Sequence, residues 1–229
     1  DRDAKTYKSI SRWNGKRLFK TPATVAEKHN IYYQVAVAFD KNAIPWVFFG
    51  TGDRENPFES GLERFYAVKD DGKGAYPRLQ GDLLNVTDTN TFVPPVDPLK
   101  GWTINLTNFR EQVLAKPVVF NNLVYFTTYS PKEYDSDVCT VGGTARLYVV
   151  HYLSGGGGLE VDALTDFDGS AGTRSKIIGS GLPSAPSISI NAQGQATIIV
   201  GTTESQVFSQ KAFSPTTNKQ MLYWRDVVY

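Results

Sequence analysis

Apolar positions along this chain come in two patterns, strict alternation with polar residues and short unbroken runs, and they almost never recur at the three-to-four-residue spacing of a helix. The middle of the chain is the clearest case. Lys116-Pro117-Val118-Val119-Phe120 leads through Asn121-Asn122 into the apolar run Leu123-Val124-Tyr125-Phe126-Thr127-Thr128, and after a polar loop Ala145-Arg146-Leu147-Tyr148-Val149-Val150 follows. This reads as a strand, a tight turn that needs left-handed backbone, a buried strand and a third strand.

The chain writes this meander three times. In the first copy Gln34-Val35-Ala36-Val37-Ala38-Phe39-Asp40, a Lys41-Asn42 turn and Trp46-Val47-Phe48-Phe49-Gly50-Thr51-Gly52 precede Arg64-Phe65-Tyr66-Ala67-Val68. In the third, Pro186-Ser187-Ile188-Ser189-Ile190, the turn Asn191-Ala192-Gln193-Gly194 and the run from Thr197 to Thr203 precede Gln206-Val207-Phe208. A fourth strand closes each copy: Gly101-Trp102-Thr103-Ile104-Asn105-Leu106, the Ile177-Ile178 segment, and Tyr223-Trp224-Arg225-Asp226-Val227-Val228. Residues 9–19, with Trp13 ahead of Leu18-Phe19, resemble such a closing strand with nothing before it.

Repeated four-stranded meanders, each too small to bury its own faces, are the signature of a β-propeller. The expected fold is therefore all-β: one partial propeller domain over residues 1–229, with blades at 34–106, 113–180 and 184–229 and an orphan outer strand within 1–19. Propellers close with about four to eight blades. The remaining blades are accordingly expected from the same protein ahead of Asp1 or from a companion chain. Helical pattern is confined to residues 24–29 and 107–113, enough for one or two turns each.

Composition agrees. Aromatic residues make up 13%, with 12 Tyr and 13 Phe, and 20 Gly and 12 Pro supply turns rather than helices. Long polar insertions interrupt the blades at 70–100, 130–144 and 154–181; Gly155-Gly156-Gly157-Gly158 reads as a flexible run. The net charge of +1, with both signs mixed throughout, argues against a nucleic-acid partner. No apolar run approaches the ~18 residues that span a bilayer. The single Cys139 has no internal disulfide partner and leaves the compartment open.

The run Phe49-Gly50-Thr51-Gly52-Asp53-Arg54-Glu55-Asn56-Pro57 and the following Arg64-Phe65-Tyr66-Ala67-Val68-Lys69-Asp70 resemble the C-terminal domain of the PilC/PilY family of type IV pilus assembly factors and tip adhesins. So do Lys116 to Tyr129, Gly142-Gly143-Thr144-Ala145-Arg146-Leu147-Tyr148 and Leu222-Tyr223-Trp224-Arg225. The resemblance implies a modified β-propeller, export to the cell surface, a place at the pilus tip on minor pilins, promotion of pilus extension and attachment to a host or abiotic surface. The family's Asp-x-Asp-x-Asn calcium loop and an Arg-Gly-Asp triplet are both missing from this sequence.

Candidate chemistry is sparse. Asp162, Asp166 and Asp168, followed by Gly169, could present carboxylates to calcium, although three such donors fall short of a usual calcium shell and a solvated turn reads better. Asp53-Arg54-Glu55 reads as turn-capping residues with an ion pair. His29 and His151 are too isolated for a metal centre or proton relay. Asn85-Val86-Thr87 and Asn105-Leu106-Thr107 match the glycosylation triplet by pattern alone. Trp13, Trp102 and Trp224 read as packing residues, with a carbohydrate platform as the sharper alternative. No catalytic residue and no required cofactor is expected. Alternative readings are a quinoprotein-like propeller enzyme, which a bound absorbing cofactor would reveal, and a carbohydrate-binding propeller lectin.

Overall fold

A computed structural model describes residues 15–22, 29–58, 61–132, 142–159 and 171–212. The protein is all-β. Its strands are β1 (Ala36–Phe39), β2 (Pro45–Gly50), β3 (Arg64–Lys69), β4 (Leu84–Asn85), β5 (Gly101–Asn105), β6 (Gln112–Val113), β7 (Val118–Phe120), β8 (Leu123–Pro131), β9 (Gly143–His151), β10 (Ser175–Ser180), β11 (Ser187–Ile190), β12 (Ala196–Gly201) and β13 (Val207–Lys211). They form three separate sheets. Sheet 1 has the order β1-β2-β3-β5-β4; sheet 2 runs β10-β9-β8 with both β6 and β7 on the far edge of β8; sheet 3 is β11-β12-β13.

Period-2 alternation explains how the sheets stack. Trp46, Phe48, Phe65, Ala67, Trp102 and Ile104 of sheet 1 share one core with Val124, Phe126, Tyr148 and Val150 of sheet 2. The intervening residues of sheet 2, Leu123, Tyr125, Ala145, Leu147 and Val149, form a second core with Ala196, Ile198 and Val200 of sheet 3. Strands β8 and β9 are thus apolar on both faces, which is why β8 reads as an unbroken apolar run. Between sheets 1 and 2 the rings stack: Phe65 on Phe126 at 3.8 Å and 7°, and Phe126 on Tyr148 at 4.7 Å and 12°.

The turn chemistry is as the residues demand. Asn121 and Asn122 both have positive φ, 48° and 61°, the two left-handed positions of a type I′ hairpin. The turns after β1 and β11 are copies of each other. Asp40 Oδ1 accepts the N–H groups of Asn42 and Ile44; Asn191 Oδ1 accepts those of Gln193 and Gln195. The left-handed position holds Ala43 (φ 58°) in one and Gly194 (φ 76°) in the other.

Four expectations need correction. Residues 107–113 make no helix: Glu111 N–H bonds back to Asn108 in a turn and Gln112–Val113 is strand β6, because Val113 N–H is taken by Thr51 across the sheet boundary. A short strand absent from the sequence reading, β4, pairs parallel to β5. The segment read as an orphan closing strand, where described, makes one parallel bridge from Phe19 to Arg78, and Leu18 and Phe19 cap Phe49, Tyr66, Val68 and Leu83 on the outer face of sheet 1. Finally, Gly155 to Gly157 are buried and Gly158 half-buried, all four close-packed rather than flexible. A Cβ on Gly156 would lie 2.3 Å from Thr91 O, and one on Gly157 would lie 2.0 Å from Gly172 O. The fourth strand expected near Tyr223 lies outside the described residues.

Antiparallel order sorts the connections into two rims. Among the described residues the turn rim carries the three tight turns and 70–100, 152–159 and 171–174; the loop rim carries 51–58, 61–63, 106–111, 181–186 and 202–206. Among the described residues no helix is long and apolar enough to cross a membrane.

Candidate functional site

Four chain segments converge on the loop rim beside sheets 1 and 2. The loop after β2 is pinned at its base, where Thr51 N–H donates to Arg64 O at 3.0 Å and Arg64 N–H donates to Thr51 Oγ1 at 2.9 Å. Gly50 and Gly52 are required by the passage of β6: a Cβ on Gly50 would meet Val113 Cγ2 at 2.3 Å, and one on Gly52 (φ 153°) would meet Gln112 Cβ at 2.8 Å. Buried Gln112 then holds the loop itself, accepting from Asp53 N–H at 2.7 Å and donating to Pro57 O at 3.2 Å. Asp53 Oδ1 caps Glu55 N–H at 2.9 Å, as expected of the triplet. The expected ion pair is not formed: Arg54 has none among the described residues.

Beneath this loop His29 Nδ1 lies 2.8 Å from Glu63 Oε1, with both side chains more than nine-tenths buried. Gly61 leaves room for the ring, since a Cβ there would stand 2.9 Å from His29 Cε1. Gly52 N–H donates to Asn30 O, so residues 29–33 are fastened to the rim twice. The link between sheets, residues 106–111, ends on fully buried Glu111, which accepts from Thr128 Oγ1 at 2.5 Å and Asn108 Nδ2 at 2.6 Å. Burial first, and the adjacent Glu111 charge second, raise the Tyr148 hydroxyl pKa strongly.

What the rim shows to solvent is aromatic. Tyr32 is 57% exposed, Phe58 54% and Phe109 44%. Arg110 touches both residues: Nη1 donates to the backbone carbonyl Phe58 O at 2.5 Å, and Cζ lies 5.1 Å from the Phe109 ring centroid. Its backbone is left-handed, φ 45°. Nearby, burial raises the Tyr33 hydroxyl pKa, Arg54 opposes that, and Asp53 and Glu55 add to it.

The residues singled out from sequence are scattered by comparison. Asp162, Asp166 and Asp168 lie outside the described residues, as do Cys139, Trp13 and Trp224. Among the described residues no group of three or more His, Cys, Asp or Glu is placed to hold a metal. Trp102 is fully buried and its indole N–H donates to Tyr152 O at 3.0 Å, a packing role that rules it out as a sugar platform. His151, on the turn rim, is buried with Nδ1 3.0 Å from Ser154 Oγ, and burial pushes its pKa down to about 4. Asn105 Oδ1 accepts from Arg64 Nε, whereas Asn85 is exposed in β4. The His29–Glu63 pair and the Phe58–Arg110–Phe109 group escaped the sequence reading, because each joins residues some fifty or thirty positions apart. The left-handed Arg110 carries no residue-type signal at all.

Among the described residues the rim presents exposed rings and two guanidiniums over hydrogen-bonded loops, with His29 Nε2, Glu63 Oε2 and Arg64 Nη1 buried and without a hydrogen-bond partner. The chain matches no protein-family model and no curated protein.

Proposed function

We propose that this chain is the propeller-type domain of a pilus-tip protein of the PilC/PilY kind, non-enzymatic, exported to the cell surface, and acting through protein contacts with minor pilins to promote pilus assembly and adhesion. The three sheets would be three consecutive blades, with further blades supplied by the same protein or a companion chain. The observation that carries the reading is the construction of the Gly-Thr-Gly-Asp-Arg-Glu run. In that run Gly50 and Gly52 yield to β6 and Asp53 caps its own turn, and the product is an exposed loop at the edge of stacked sheets. A motif built this way supports recognition rather than catalysis.

Affinity capture of the tagged chain, co-expressed with a set of minor pilins in the periplasm, tests it. A stoichiometric pilin in the eluate is the expected result; a chain recovered without any pilin, and unable to restore piliation to a strain lacking its tip protein, overturns it. Calcium at Asp162, Asp166 and Asp168 is a separate matter, checked by calorimetry on the chain and on Asp166→Ala.

A further inference from the structure

We infer that Phe58, Arg110 and Phe109 form a docking platform for an acidic, extended peptide segment of a protein partner. The Arg110 guanidinium lies over the exposed Phe109 ring and donates to the backbone carbonyl of exposed Phe58, bringing together the residue types that anchor interfaces. Exposed rings alone would leave the partner's chemistry open; the cations decide it. Half-buried Arg110 spends Nη1 on Phe58 O and has no ion pair among the described residues, which leaves it further donors in the fork that matches a carboxylate. The Phe109 ring beneath Cζ supports the charge without neutralising it. Arg54, on the same loop as Phe58, is a second exposed guanidinium without an ion pair among the described residues, while the neighbouring Asp53 is occupied by Glu55 N–H.

The platform is also preorganised. Arg110 is followed by Glu111 and Gln112, both 1% exposed and both hydrogen-bonded, so its backbone is clamped next door. It sits in left-handed conformation, which glycine or asparagine would adopt at lower steric cost. Retaining an arginine there puts the side chain, rather than the turn, at the centre of the site. Among the described residues of the loop Glu55 is the exposed carboxylate and sets a polarity: the partner's acidic positions belong near Arg110 and Arg54, and a neutral or basic one beside Glu55.

The test is fluorescence anisotropy of a labelled (Glu-Val)4 peptide on the chain, beside (Gln-Val)4, (Lys-Val)4 and a neutral oligosaccharide, chitohexaose. Saturable binding of the glutamate peptide is expected, weakening as salt rises, with the glutamine peptide and Arg110→Gln each at least about tenfold weaker. Arg110→Lys falls between, and Phe58→Ala or Phe109→Ala weakens binding severalfold while leaving the melting curve in place. If Arg110→Gln unfolds the chain, the Phe58→Ala result decides. Equal binding of the glutamine peptide, indifference to these substitutions, preference for chitohexaose, or no binding at all overturns the inference. It does not rest on the pilus reading: a chain that binds the acidic peptide but captures no minor pilin keeps the platform and loses the pilus assignment.

Discussion

The two rims of this molecule are made from the same strands and treat their polar groups in opposite ways. On the turn rim Arg174, Arg78 and Lys100 are spent on the fold. Arg174 donates to Gly155 O, Thr87 O and Thr89 O, and Asn90 both accepts from Gly157 N–H and donates to Gly172 O, so the two insertions clasp each other through backbone. Arg78 and Lys100 share Asp71, and Lys100 also reaches Asp97. Burial by itself would raise the Asp71 carboxyl pKa; hydrogen bonds from Lys100 and the Lys73 backbone and the two cations outweigh it and hold it below the usual range. On the loop rim buried groups shape the loops, while Arg54 and Arg110 have no ion pair among the described residues and three aromatics are exposed. The cations of the turn rim hold the insertions together; those of the loop rim stand beside exposed rings, where a counter-charge can reach them.

If that contrast is right, damage to the turn rim should cost stability and damage to the loop rim should not. Gly157→Ala is the harshest case, because its Cβ meets backbone on two sides, Gly172 O at 2.0 Å and Thr173 C at 2.6 Å; a loss of about 3 kcal/mol or more in urea unfolding is expected. Gly81→Ala, with open space around it, should be nearly silent and serves as the control.

Acid comes next. His151 is neutral and buried in the fold with its pKa near 4, against about 6.5 unfolded, so only the unfolded state gains a proton in that interval. Stability is full above about pH 6.5 and falls as pH drops towards 4, by up to about 3 kcal/mol, and His151→Gln flattens that part of the profile. The Asp71 contribution has the same sign in a lower window: its depressed folded pKa stabilises above the ordinary carboxylate range and is lost as pH falls below about 4. Arg174→Ala strips three carbonyls of their donor and should cost about 2 kcal/mol.

Smaller effects discriminate further. Ala43→Gly should stabilise by up to about 1 kcal/mol, since Ala43 occupies the left-handed site that Gly194 fills in the matching turn, and Gly194→Ala should lose a similar amount. On the loop rim, Phe58→Ala should move the unfolding midpoint by less than about 0.5 kcal/mol. A large loss there would mean that the exposed ring is holding the fold, and the contrast between rims would fail.

Much of this architecture was legible because its signals are local. Alternation at Val35 to Phe39 and 145–150, the unbroken apolar run of β8, and the turn residues Asn121-Asn122 and Asn191 to Gly194 each specify strand or turn within a few positions. The glycine run misled for a physical reason: four glycines are flexible in isolation, and whether they stay so depends on what packs against them, here Thr91, Leu123, Trp102 and Gly172 from three other segments. Residues 107–113 had helical spacing, but Val113 found a backbone partner in Thr51 and became a strand.

The amino-acid order by itself determined that the chain would be β, that it would turn at these residues, and that its strands would come in three like groups, because period-two burial and left-handed turns are decided by neighbours in sequence. Which faces meet, that His29 finds Glu63, that Arg174 binds two insertions together and that Arg110 reaches the Phe58 carbonyl over the Phe109 ring were decided only in the folded molecule. Those outcomes depend on contacts between residues brought together from distant parts of the chain, and no local pattern encodes which of several available partners a charge or a ring will reach.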